Sequence, residues 1–215
     1  MSLKYPDSQV REQMRTELST EIADINREFL NLLTHPATRG VQNLLGLDAA
    51  ILEGLRQLNP DELELVSAAP LLLVEFSPLP GIPEIRDTPK SRVNNLALGK
   101  VWQAELQGFA NMLLTCIWQT ARRDKLLTAL FAGIDDECCR VLSDLSFCRI
   151  RQCARQATDL MQVRLWQHPQ FWADLIRLAR NGSDNQQIAS RLSLIQLSVV
   201  QQLPMKLLGT ESRYT

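Results

Sequence analysis

The side chains with chemistry to offer gather toward the C-terminal end of the 215-residue chain. They are the cations Arg177, Arg180, Arg191 and Lys206, the amides Asn185, Gln186, Gln196, Gln201 and Gln202, and the hydroxyl of Ser198. With no base beside the hydroxyl or the amine, such groups bind polyanions and polar edges. Bond-making groups are scarce elsewhere. Two histidines, His35 and His168, give a histidine triad or a multi-histidine metal site little to work with. There is no glycine-rich phosphate loop and no nucleophile beside a plausible base, which argues against an enzyme, a small-molecule substrate or a cofactor. The five cysteines (Cys116, Cys138, Cys139, Cys148 and Cys153) contain no Cys-x-x-Cys pair and read as reduced, buried, small apolar residues, not as a metal site. Asp135-Asp136-Glu137 sits at a helix start, where acids complement the helix dipole.

The tail residues need helices to position them. Phe171, Leu175, Ile176 and Leu178, with Ala179, form the apolar face of a first helix that stops at Asn181-Gly182. Ser183 or Asp184 caps a second helix from Asn185 to Leu192, a turn spans Ser193-Leu194, and a third helix starts near Gln196. The spacing of Ile188, Ala189, Leu192, Leu194, Val199 and Leu203 is that of a helix-turn-helix, with the small Ala189 where the helices cross.

The stretch Arg-Asn-Gly-Ser-Asp-Asn-Gln-Gln-Ile-Ala-Ser-Arg-Leu (180–192) resembles the tetrahelical DNA-binding domains of LuxR-type response regulators. The resemblance implies that the third helix lies in the major groove of duplex DNA, presenting Gln196, Ser198, Gln201 and Gln202 to the bases. It places Arg177, Arg180, Arg191 and Lys206 on phosphates, and Asn185 and Gln186 at a helix N-terminus that adds backbone amides. The pattern is also broken: Ser193 stands at the turn glycine, Ile195 at a polar start, and Pro204 cuts the third helix short. The tail is therefore either a DNA reader or a structural, partner-binding helix pair.

Upstream, apolar residues recur at three and four, so an all-α fold is expected. Val10, Met14, Leu18, Ile22, Ile25, Phe29, Leu32 and Leu33 define one long helix over 9–33, ending before His35-Pro36. A short helix over 37–45 is expected to stop at Gly46. Asp48 caps the next helix, and Asn59-Pro60-Asp61-Glu62 restarts another. The run 71–76 (LLLVEF) is either a strand or an extended closing segment. A second long helix over 94–120 carries Leu98, Trp102, Leu106, Phe109, Leu113 and Ile117. His168-Pro169, like His35-Pro36, reads as a helix stop, and the four tryptophans as core or interface. Arg149, Arg151 and Arg155 form either a solvated helix face or a phosphate-tracking patch.

Sliding the chain over itself by 87 residues lays Gly46-Leu47-Asp48 on Gly133-Ile134-Asp135, Leu55 on Leu142, Leu58 on Leu145 and Leu73 on Leu160. The reading is a duplication, or two helical hairpins sharing turn chemistry. The first copy, with DINREFLNLL, LLGLDAAILEGLRQLNPDELELV and LLLVEF over residues 22–76, resembles FlhD, a subunit of the bacterial flagellar master transcription activator; residues 109–165 are similar but weaker. That resemblance implies an all-helical, oligomer-forming protein that works with a partner regulatory subunit in transcription activation. This chain departs from the family in carrying two copies, so one chain stands where the family uses a dimer.

The organisation expected is a first FlhD-like helical repeat (1–78), a Pro-rich linker (79–93), a second repeat (94–168) and a helix-turn-helix-like tail (169–215), with a short β-strand closing each repeat if the apolar runs are strands. Composition agrees with a soluble globular chain: 45% apolar, 22% charged, net charge −1. Residues 1–80 hold 6 basic and 12 acidic side chains, and residues 81–215 hold 17 and 12, so a polyanion would meet the back half. No apolar stretch is long enough to span a membrane, and no signal peptide opens the chain, so a cytoplasmic location is expected. Two functions follow: a transcription regulator, as an activator subunit touching DNA through the tail and associating with a partner or itself; or a non-enzymatic helical adaptor or interaction protein of a secretion or conjugation system.

Overall fold

The computed structural model describes residues 8–77, 79 and 98–182, with the backbone alone for 8–15. Helix α1 (Ser8–Thr34) buries Ile22, Ile25, Phe29, Leu30 and Leu33 along one stripe. The helix expected over 37–45 is instead a 3-10 turn, Pro36–Thr38, followed by a hairpin of β1 (Asn43–Leu44) and β2 (Leu47–Asp48). Leu45 and Gly46 both take positive φ, 52° and 99°, the pattern of a type I′ turn. Gly46 is thus a turn glycine, not a helix stop, and a Cβ on it would stand 2.8 Å from the Cβ of Trp166. Helix α2 (Ala49–Arg56) starts where the Asp48 carboxylate accepts from the Ile51 amide, and α3 (Pro60–Ser67) starts at a reciprocal capping box between Asn59 and Glu62.

After strand β3 (Val74–Phe76), the second half supplies α4 (Lys100–Arg123), α5 (Lys125–Ala132), α6 (Asp136–Asp144), α7 (Phe147–Ala154), α8 (Ala157–Leu160) and strand β4 (Met161–Val163). His168-Pro169, expected to stop a helix, instead opens α9 (Pro169–Asn181), with proline in the first turn where no amide is needed. The described chain is mostly helical, with two small two-stranded sheets. No described helix is long and apolar enough to cross a membrane.

The 87-residue offset reappears in the backbone. Asp48 and Asp135 cap α2 and α6, Asn59 and Ser146 cap α3 and α7, and α7 begins and ends 87 residues after α3. Gly46 and Gly133, also 87 apart, both take the left-handed conformation. The two apolar runs are strands, and they pair antiparallel with Val74 opposite Val163, Glu75 opposite Gln162 and Phe76 opposite Met161. Adding 87 to Glu75 gives Gln162, so the central pair joins a residue to its own counterpart, and the flanking pairs exchange places. That is the register of a local twofold axis through the ribbon. The amide of Ser77 bonds the Leu160 carbonyl at 2.8 Å, and that of Arg164 bonds the Leu73 carbonyl at 2.9 Å, which is the same contact seen from each side. The buried residues of both halves form one continuous core, in which Phe29 stacks on Phe109 at 5.6 Å and the Trp102 indole donates to the Leu32 carbonyl.

Candidate nucleic-acid interface

Helix α9 is the described end of the tail, and it lies on α2 and α3. Its anchor is Trp172, fully buried, whose indole N–H donates to the Arg164 carbonyl at 3.0 Å; Leu175 and Ile176 complete the buried face. Phe171, expected inside with them, is half-buried and meets Trp172 edge-on. The close approach is allowed by Gly54 of α2, where even a single Cβ would come within 3.1 Å of Ile176 Cδ1.

Of the residues expected to touch phosphates, Arg177 is exposed and its guanidinium sits 3.1 Å from the Asp174 carboxylate. Arg180 is exposed and donates to the Gly54 carbonyl and to the Gln57 side chain, both at 3.3 Å, so its charge meets only neutral oxygens there. Asn185, Gln186, Arg191, Gln196, Ser198, Gln201, Gln202 and Lys206 lie outside the described residues.

A second basic surface lies across the twofold. Arg149, Arg151 and Arg155 are exposed on and just after α7, and no carboxylate among the described residues stands within ion-pair distance of them. Arg149 instead donates to Gln152 at 2.9 Å. Arg151 and Arg155, with Phe147, Ala154, Gln107, Asn111 and Thr115, line an open groove of about 490 Å³ between α4 and α7. The counterparts of Arg149 and Arg151 in the first half are Glu62 and Glu64, acids on α3. On the other side, Glu17, Glu21, Asp24 and Glu28 of α1 line a groove of about 530 Å³ with Met112 and Cys116. Helix α3 thus carries acids where its equivalent α7 carries arginines, while the acids of α1 have neutral counterparts on α4.

No family model, curated protein or solved structure matches this chain.

Among the buried polar side chains of the described residues is an arginine. Arg164 is 2% exposed, and its guanidinium donates to the Phe131 carbonyl at 2.7 Å. Gly133 makes room for it, since a Cβ there would lie 2.7 Å from Arg164 Nη2. Burial lowers the Arg164 pKa, and the nearby Glu75 carboxylate opposes that fall. Burial likewise raises Glu75, against the hydrogen bond from Gln162 and the charge of Arg164, which both lower it. This cluster is buried at the twofold ribbon, with Glu75 and Gln162 as its central pair. The cysteines are free; Cys148 is exposed, contrary to the expectation of burial, while burial first and Glu21 second push Cys116 up to about 12. A thiol so raised stays protonated and unreactive at neutral pH. Among the described residues no group of three histidines, cysteines or carboxylates could hold a metal ion.

Sequence reasoning missed Gly54, Arg164 and the exposed apolar residues Val141 and Phe147. The signal for the first existed: the 87-residue offset sets Gly54 on Val141, a seat in one half and a plug in the other.

Proposed function

We propose that this chain is a non-enzymatic, cytoplasmic bacterial transcription regulator, an FlhD-like activator subunit in which one polypeptide carries both repeats. Duplex DNA is contacted through the helix-turn-helix-like segment that follows α9. The observation that supports the reading best is the twofold ribbon, with Glu75 opposite Gln162. An isologous strand pair is what two protomers of a dimer make, and here it lies within one chain. In this reading the scaffold carries the reader, α9 anchors it through Trp172, and the arginines and glutamines do the contacting. A tail with so few cations binds weakly by itself, so association with a partner subunit or a second copy multiplies its affinity.

The test is a mobility-shift titration of the full chain against genomic fragments at two salt concentrations. Truncation from residue 171 is unsuitable, because Trp172 and Ile176 belong to the core. Arg191→Ala should reduce the salt slope by about one, the share of one phosphate contact. Gln201→Ala should weaken the preferred fragment more than random DNA. Retardation that ignores both substitutions refutes the tail as the reader, and no retardation at low salt leaves the helical adaptor in its place.

A further inference from the structure

The axis of the local twofold leaves the body between α1 and α4. These helices run antiparallel, with Glu21 bonded to Cys116 and Leu32 to Trp102. Ile25 and Met112, which are 87 residues apart, line one groove at their crossing. Around that point lies a face of four helices in the order α3, α1, α4, α7. Its outward ridges are counterparts: Thr20, Asp24 and Glu28 on α1 answer Gln107, Asn111 and Thr115 on α4. The charge is not shared. The α1 side carries Glu17, Glu21, Asp24 and Glu28, all exposed, with Glu64 of α3 beyond them. Arg27, 3.9 Å from Asp24 and 3.1 Å from Glu64, offsets part of that charge. The α7 side carries Arg151 and Arg155 in the groove, and Arg122 of α4 stacks on Trp118 at 5.1 Å. No carboxylate among the described residues stands within ion-pair distance of these three arginines. Asp144 and Asp159, the acids nearest to α7 in sequence, do not line the groove.

We propose that two copies of this chain dock through this face, the acidic side of each on the basic side of the other, about a second twofold axis parallel to α1. A face whose two sides are equivalent in backbone and opposite in charge is complementary to itself. The levels along the helices agree with that pairing. Phe147 meets the Trp118 ring at 6.0 Å at one end of α7, and Gln107 donates to the Ala154 carbonyl at the other. Arg122 therefore stands toward the Glu17 end of the face, and Arg155 toward the Glu28 end. A half-turn about an axis along the helices exchanges the sides and keeps the levels. It brings Arg122 to Glu17, Arg151 to Glu21 and Asp24, and Arg155 to Glu28. A half-turn about an axis across the helices keeps the sides and sets like charge on like. The ridge from Glu17 to Glu28 is about 16 Å long, and it offers a convex edge to the open groove between α4 and α7. Met112 at the crossing is 36% exposed and Phe147 in the groove 52%, so apolar surface lies within the charged rim. A polyanion would engage the arginines alone and be repelled by the acids beside them, whereas a second copy answers both. The twofold closes on itself, so association stops at the dimer. The inference goes beyond the reading above: it rests on the internal twofold and needs no DNA binding by the tail.

The experiment is sedimentation velocity of the full chain over a range of concentrations, at low and at high salt. A monomer–dimer equilibrium is expected at low salt, weakened about tenfold or more at high salt. Two double variants, Arg151→Glu with Arg155→Glu and Glu21→Lys with Glu28→Lys, are first verified as folded by circular dichroism. Each should weaken the dimer by about tenfold or more, since each gives both sides of the face one sign. Mixed in equal amounts, the two variants should pair with each other, because one presents acid wherever the other presents base. A monomer at low salt, a dimer that ignores both variants, species larger than a dimer, or a mixture that stays monomeric each overturns the proposal. Arg191→Ala should dimerise as the parent does while its mobility-shift salt slope falls, so failure of this face and failure of the tail are read separately.

Discussion

The seating of α9 can be put to a quantitative test at Gly54. Glycine inside a helix costs about 0.5–1 kcal/mol relative to alanine. At this position an added Cβ comes within 3.1 Å of Ile176 Cδ1, the far end of a flexible side chain. Gly54→Ala therefore nets close to zero, as helix propensity offsets a small displacement of Ile176. Gly54→Val adds two further methyl groups in a seat already filled, and overpacking of that kind costs about 1–3 kcal/mol. Ile176→Ala alone removes a buried side chain and costs about 2–5 kcal/mol. In combination the valine fills what the isoleucine vacates, so the double variant should be more stable than the sum by about 0.5–3 kcal/mol. Urea unfolding followed by tryptophan fluorescence and circular dichroism gives the four free energies, and hydrogen exchange of the α9 amides locates the loss. If Gly54→Val unfolds at the same urea concentration as Gly54→Ala, or if the two substitutions simply add, α9 does not rest on α2 as described.

Two further outcomes are expected. Asn26, fully buried in α1, donates to the carbonyls of Ser67 and Leu71 and accepts from the Leu73 amide; Asn26→Ala should destabilise by about 1–3 kcal/mol for each backbone group left unpaired, and a thermal melt within a degree of the parent would contradict that. Glu75 has its pKa raised by burial, so its contribution to stability is fully present below the unfolded carboxyl value and is lost as pH rises through the folded value. The melting temperature of the parent, measured relative to Glu75→Gln, should therefore climb as pH falls from neutral into the ordinary carboxylate range, and a slope of the opposite sign would refute the assignment.

Much of the fold was legible because it rests on local chemistry. Asp48, Asn59 and Pro60 announce helix starts whatever surrounds them, and the stripes of α1 and α4 carry their period in plain view. The hairpin at 43–48 was not legible: its turn is Leu45-Gly46, and leucine at positive φ is a conformation its residue type disfavours. The runs at 71–76 and 160–165 are too short for periodicity to distinguish strand from coil, and their pairing is set by a partner 87 residues away. Arg164 was invisible for a different reason. An arginine is ordinarily solvated, and only the opening at Gly133 and the Phe131 carbonyl make its burial possible. Of the candidate interface, Arg177 and Arg180 fall on the exposed side of α9 as the spacing required, but the spacing could not show that Arg180 leans on α2.

The ribbon that joins Glu75 to Gln162 has a consequence for how such a protein can change. In a homodimer a single codon writes both copies of a surface, so an acid on one protomer is an acid on the other. Here the copies are spelled separately, and Glu62 can stand where its mirror position holds Arg149. Two unequal halves in one chain make a body with a front and a back, joined by the antiparallel pair of Glu75 and Gln162.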